Sequence, residues 1–284
     1  MNAIDRSLLL CTNGAPEGVP ALTYGTWLAG VVQLPVTVLA VVERETERQA
    51  MEQVLSGVQL QLEAQGIAYS IVRREGRVRE VLDEEAVPER HVVIIGPLGR
   101  PHWRHLIQGR SFRRLMPDLP VPLLYTSTAH TRLKRILVPT GALDYATSAE
   151  CWALELARAS GAAVTILHIV EAVRYHYPTS DQMEAHWKDL LKTDIPQARH
   201  LRALLEQAHA LGVAATLQVL HGPVVHNVIA EARRGQFDLV VMGSKHSSHS
   251  LRRQYLPDVA AEVMSALVTP VLVVRSGQSC IIGD

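Results

Sequence analysis

The sequence predicts two tandem α/β domains, each a parallel sheet of five strands with helices on both faces. Three observations predict it. The chain repeats itself: VTVLAVVE (Val36 to Glu43) returns as VTILHIVE (Val164 to Glu171), 128 positions later. Leu8-Leu9-Leu10 answers to Ile136-Leu137-Val138 at the same offset, and HVVIIGPLG (His91 to Gly99) answers to DLVVMGSKH (Asp238 to His246) at 147. A period this long marks a duplicated domain rather than a solenoid. Within each copy, short β-rich runs alternate with helix-period segments, the pattern of a parallel sheet with crossover helices. The 284 residues, 48% of them hydrophobic, suit two domains of roughly 100–200 residues. The domains are expected at 1–128 and 133–278, joined by a short polar linker from Ser127 to Lys134.

In the first copy, apolar runs bounded by turn residues place strands near Ser7–Thr12, Pro35–Val42, Ala68–Arg73, His91–Ile95 and Pro122–Thr126. Helix-period segments place helices near Gly18–Gln33, Glu45–Gln65, Arg77–Glu85 and Phe112–Met116. The second copy places strands near Arg135–Pro139, Ala163–Val170, Ala214–Leu220, Leu239–Met242 and Val271–Arg275. Most of these runs are apolar throughout, as when both faces of a sheet are covered. The second copy is longer by about 18 residues after its second strand, which fall in Arg174–Pro196. That stretch carries Tyr175, Tyr177, Pro178 and Trp187 and reads as a lid, an interface arm or a lengthened helix.

Bulk composition excludes several classes of function. A formal net charge of zero gives no strong field for nucleic acid or an anionic membrane. No apolar run approaches the roughly 18–20 residues that span a bilayer, and the N-terminal apolar stretch is too short for a signal peptide. Three widely spaced cysteines (Cys11, Cys151, Cys280) argue against a disulfide framework and for a reducing compartment, so a cytoplasmic protein is expected. Residues 1–130 contain thirteen Arg and no Lys, with Arg100, Arg104, Arg110, Arg113 and Arg114 close together. This cluster reads either as a solvated face or as an anion site, because guanidinium binds phosphate in a fork.

The first copy offers one motif with a mechanism. Gly96 and Gly99 follow an apolar strand, and nine residues later come Gly109, Arg110 and Ser111, a G-x2-G-x9-G-R-S pattern. Glycines let the backbone approach an anion, successive amides form an anion nest, and a following helix N-terminus adds free N–H groups. Such a site lies at the carboxyl ends of the strands of an open α/β sheet.

Together with the strand arrangement and the terminal PVLVVR strand, this pattern resembles the universal stress protein family, across nearly the whole chain as two fused copies. The resemblance implies adenine-nucleotide-binding-type domains, and a chain that is a dimer built into one polypeptide by pairing of the last strands. In ATP-binding members the glycine motif holds phosphates and ribose, an Asp ends the first strand, and a small apolar residue ends the second. Here Gly96, Gly99 and Gly109 stand at the glycine positions, preceded by Ile95. Arg110 stands where the family has Ser or Thr, with Ser111 next. Asn13 stands for the Asp and can hydrogen-bond without its charge, and Val41 fits the apolar position. The second copy keeps Gly243, has His246 for the second glycine and Gly141 for the Asp, and meets Leu256-Pro257-Asp258 at the third. Nucleotide, ATP above all, is therefore expected in the first copy, with the second as a degenerate partner.

His102 and His105, like His246 and His249, have metal-ligand spacing on a helix, yet no Cys, Glu or Asp completes either set locally, so no metal is expected. His168 reads as a packed histidine, and Cys11 and Cys151 as small buried hydrophobes. A P-loop, a dinucleotide turn after the first strand and a nucleophile elbow are all absent, which argues against a dedicated catalyst. Three classes follow: a cytoplasmic nucleotide-responsive stress regulator first, a scaffold of the same fold that has lost nucleotide second, and a slow ATPase last. Pairing of tandem chains into homodimers is left open.

Overall fold

The computed structural model describes residues 6–98, 119–143, 146–170, 191–244 and 259–282. In the first half, β1 (Ser7–Thr12), β2 (Val36–Val42), β3 (Tyr69–Glu75), β4 (His91–Ile95) and β5 (Leu123–Tyr125) alternate with α1 (Val19–Val32), α2 (Arg48–Ala64) and α3 (Val78–Glu85). In the second half, β6 (Arg135–Thr140), β7 (Ala163–Val170), β8 (Ala215–His221), β9 (Leu239–Ser244) and β10 (Val271–Arg275) alternate with α4 (Thr147–Ser160), α5 (Pro196–Ala210), α6 (Val224–Arg234) and α7 (Val259–Ala266). The strand expectations hold to within two residues. The single helix expected over Glu45–Gln65 instead begins with a 3-10 turn at Glu45–Glu47 before α2. The helix expected at Phe112–Met116 lies outside the described residues.

The strands form one sheet in the order β3-β2-β1-β4-β5-β10-β9-β6-β7-β8. Pairing is parallel within each half, as crossover helices require. The halves join where β5 meets β10 antiparallel, with Leu124 opposite Leu272. Each last strand is thus the other half's neighbour, and neither leaves its edge unpaired. The outer edges are β3 and β8. There the expectation of apolar strands covered on both faces gives way to half-exposed ones: β3 carries Arg73, Arg74 and Glu75, charges that blunt an open edge.

Alternate residues of each strand serve opposite faces. Leu8, Leu10, Val38 and Ala40 join α1, α2, α4 and α5 in one core that runs through both halves and includes Tyr24 and Trp152. Leu9, Cys11, Leu39, Val41, Val93 and Ile95 face α3, and their second-half counterparts face α6 and α7, in a second core. Asp238 fixes the linker to the sheet: its buried carboxylate accepts the amides of Lys134 (2.7 Å) and Arg135 (3.0 Å), with Arg132 at 3.4 Å. Among the described residues no helix is long and apolar enough to cross a membrane.

Candidate functional site

In the first half the chain moves outward from β1 through β2 to β3, then crosses to β4 on the other side of β1. The reversal falls between the carboxyl ends of β1 and β4, the place where open α/β sheets bind ligands. Asn13 follows β1 there and is 4% exposed. Its Nδ2 donates to the Leu98 carbonyl at 3.0 Å, and its Oδ1 accepts the Ala15 amide at 3.2 Å. One side chain therefore closes its own turn and clamps the segment after β4 to the end of β1. Thr12 Oγ1 accepts the Gly14 amide at 3.1 Å, and Gly14 takes φ +81° against the backbone of Met51 on α2.

Gly96 sits directly beside this clamp. A Cβ on it would stand 2.8 Å from Ala21 Cβ, 3.1 Å from the Thr126 carbonyl and 3.3 Å from Gly18 Cα. The absence of a side chain thus lets the start of α1 press against the end of β4. Ile95 pairs with Cys11 across the β1–β4 ladder, and Val41 lies fully buried near the end of β2, on the same face as both. Just beyond it Glu43 accepts the Val78 amide at 3.0 Å and so caps α3. The structure therefore brings Asn13, Ile95 and Gly96 together, with Val41 one strand away. Gly99, Gly109, Arg110 and Ser111 lie outside the described residues, as do His102, His105, His246, His249 and residues 171–190.

The second half reverses direction between β6 and β9, but the carboxyl edge there is chemically different. Glu150 on α4 is 3% exposed. Its Oε1 accepts the Thr140 hydroxyl at 2.5 Å and its Oε2 accepts His200 Nε2–H at 2.7 Å. His168 on β7 bonds the Thr140 carbonyl through Nδ1 at 3.0 Å. A carbonyl only accepts, so Nδ1 carries the proton. Burial holds the His168 pKa below the ordinary histidine value, with that hydrogen bond opposing. The first-half counterparts of Glu150, His168 and His200 are Leu22, Ala40 and Val54, all apolar. His168 is a packed histidine, as expected, but it belongs to a polar cluster that motif reading missed. The signal was available in the repeat itself, by comparing helix positions at offsets of 128 and 146. Among the described residues no group of three His, Cys, Asp or Glu side chains is arranged to hold a metal ion.

Comparison with known proteins gives one consistent answer. The model of the universal stress protein family matches residues 132–275. A universal stress protein of Methanocaldococcus jannaschii is 28% identical over 145 residues, covering 50% of this chain and 82% of its own length. The crystal structure of a universal stress protein from Archaeoglobus fulgidus superposes with a TM-score of 0.70 at 17% identity, covering 96% of this chain and 99% of its own. A universal stress protein family protein from Arabidopsis thaliana, solved with AMP bound, covers 51% of this chain and 92% of its own at a TM-score of 0.34 and 17% identity. The chain belongs to the universal stress protein family, as a tandem of two such halves in one continuous sheet.

Proposed function

We propose that this protein is a cytoplasmic stress-response regulator, not a dedicated enzyme, which binds an adenine nucleotide, ATP above all, in its first half. The domains on this reading are 1–128 and 133–278, the second without nucleotide. The observation that carries it is the meeting of Asn13 and Gly96 at the carboxyl ends of β1 and β4, where the fold concentrates ligand binding. Val41 and Ile95, buried in the core on one face of the sheet near the same strand ends, are assigned to the apolar side of the site. Gly99 and Gly109 are assigned to the phosphates and ribose, and Arg110 and Ser111 to phosphate contact. Calorimetric titration of the full chain with ATP, ADP and AMP tests the reading. Binding is expected, with Gly99→Val abolishing it, and no heat from any of the three at millimolar concentration overturns it.

A second reading has its own observation. The Asn13 amide is engaged at both ends within the fold, and Gly96 is required for helix packing. Both residues thus have architectural work without a ligand, as in a scaffold acting through protein contacts. The same titration separates the two readings.

A further inference from the structure

Three free cysteines are present, and the fold brings two of them together from opposite ends of the second half. Cys151 lies on α4, and Cys280 lies in the tail that follows β10. That tail turns back over α4. The Gly277 amide donates to Ser148 Oγ at 3.0 Å, and Gln278 closes a turn onto the Arg275 amide at 2.8 Å. Past the turn, Ile281 and Ile282 are buried in the core that holds Trp152 and Leu156. Cys280 is therefore anchored on both sides. It is half-buried against the same core, its Sγ 3.5 Å from the Ile282 carbonyl. Cys151 is likewise half-buried and lies one helical turn on from Ser148, the residue that holds Gly277, so the returning tail brings the two thiols close enough to influence each other's ionisation.

Their environments push the two thiols apart. The neighbouring Cys280 thiol brings the Cys151 pKa down to about 7, against burial and the nearby Glu155. Cys151 and burial together push Cys280 up. One thiol is thus poised to ionise and the other to stay protonated beside it, the pairing that favours oxidation at the first and resolution by the second. Cys11 supplies the contrast: it is 2% exposed, and burial raises its pKa to about 12.

We propose that Cys151 and Cys280 are a redox-active dithiol, which hydrogen peroxide converts to an intramolecular disulfide that staples the C-terminal tail to α4. The Cys151 thiolate attacks the peroxide, its sulfur gaining one oxygen as a sulfenic acid while the O–O bond breaks and hydroxide leaves. The Cys280 sulfur then attacks the Cys151 sulfur and displaces the second hydroxide. The two hydroxides take up the two thiol protons as water. The two sulfurs together lose two electrons, which reduce the O–O bond. A small dithiol reverses the change by exchange.

The test is to expose the folded full chain to hydrogen peroxide, block remaining thiols with an alkylating reagent, and measure intact mass and peptides without reduction. The expected result is a monomer lighter by two hydrogen atoms, Cys11 alone alkylated once the chain is denatured, and one linked peptide pair joining Cys151 to Cys280. Cys11→Ser is expected to keep the link, while Cys151→Ser and Cys280→Ser each abolish it. Cys280→Ser is also expected to leave a Cys151 sulfenic acid that dimedone captures. Full alkylation of both thiols after peroxide, a disulfide between chains, or a link that includes Cys11 overturns the proposal. The wild-type peptide map decides the question even if a serine variant folds poorly.

Discussion

Replacing Glu150 by Leu gives α4 the residue that α1 carries at the matching position, Leu22. Glu150 is almost wholly buried, and its two oxygens serve Thr140 and His200 at 2.5 and 2.7 Å. Removing the carboxylate deletes two charge-assisted hydrogen bonds and leaves the His200 Nε2–H without its acceptor. Hydrogen bonds to charged groups contribute ~1.5–3 kcal/mol each, and a polar group left buried without its partner costs ~1–3 kcal/mol. Glu150→Leu alone is therefore expected to destabilise by about 3 kcal/mol, a fall in Tm of roughly 5 °C for a chain of this size. Adding His200→Val, the counterpart of Val54, removes the stranded partner as well. Thr140 Oγ1 still accepts the Ala142 amide at 2.9 Å, which leaves its O–H as the donor stranded by the change. The double variant is expected to recover part of the loss, because the stranded His200 donor is gone while the Thr140 O–H stays without its acceptor. Urea unfolding followed by far-ultraviolet circular dichroism measures Glu150→Leu, His200→Val and the double variant at one pH, and the cycle gives their coupling. A Glu150→Leu variant within ~0.5 kcal/mol of the parent, or a double variant as unstable as the sum of its singles, refutes the reasoning.

Gly14→Ala is expected to destabilise by about 2 kcal/mol or more, because its φ of +81° disfavours a side chain and the new Cβ would stand 2.9 Å from Met51 Cα. The reverse exchange, Ala142→Gly at φ 52°, is expected to stay within ~1 kcal/mol, since relief of strain is offset by a lost buried methyl; thermal melts check both. Stability is expected to fall as pH drops from 7 towards 5.5. Burial holds His91 and His168 below the ordinary value of 6.5, so the unfolded chain takes up protons first, and the stability complete above 6.5 is lost towards the lower folded pKa. His168→Ala, which restores the counterpart of Ala40, should flatten that slope in melts across the range. Asp238→Ala is expected to cost about 3 kcal/mol by stranding the Lys134 and Arg135 amides, measured as a shift in urea midpoint.

The repeat made the fold legible because strands buried on both faces must be apolar at every position. VTVLAVVE and VTILHIVE therefore stand out, and β1, β4, β7 and β10 fall where the sequence places them. The edge strands were less clear, since Arg73 and Arg74 on β3 mix a loop-like composition with a strand. At the candidate site the sequence singled out Gly96 as a glycine for close backbone approach to an anion. The physical reason in the fold is the approach of Ala21 and Gly18, which no motif states. Glu150 and His200 were hidden because a charged residue in an amphipathic helix reads as surface until the opposing helix is placed. The Cys151–Cys280 contact was hidden for a related reason, as only the return of the tail over α4 joins residues 129 positions apart.

Photolabelling with 8-azido-ATP tests the asymmetry of the tandem most directly, since it reports where a nucleotide sits as well as whether it binds. The full chain is irradiated with the probe, digested, and its labelled peptides identified. The account predicts label in the first half, in peptides that contain Asn13 or Gly96, displaced by unlabelled ATP. Label confined to the second half beside Thr140 and Gly243, or label that ATP does not displace, contradicts it.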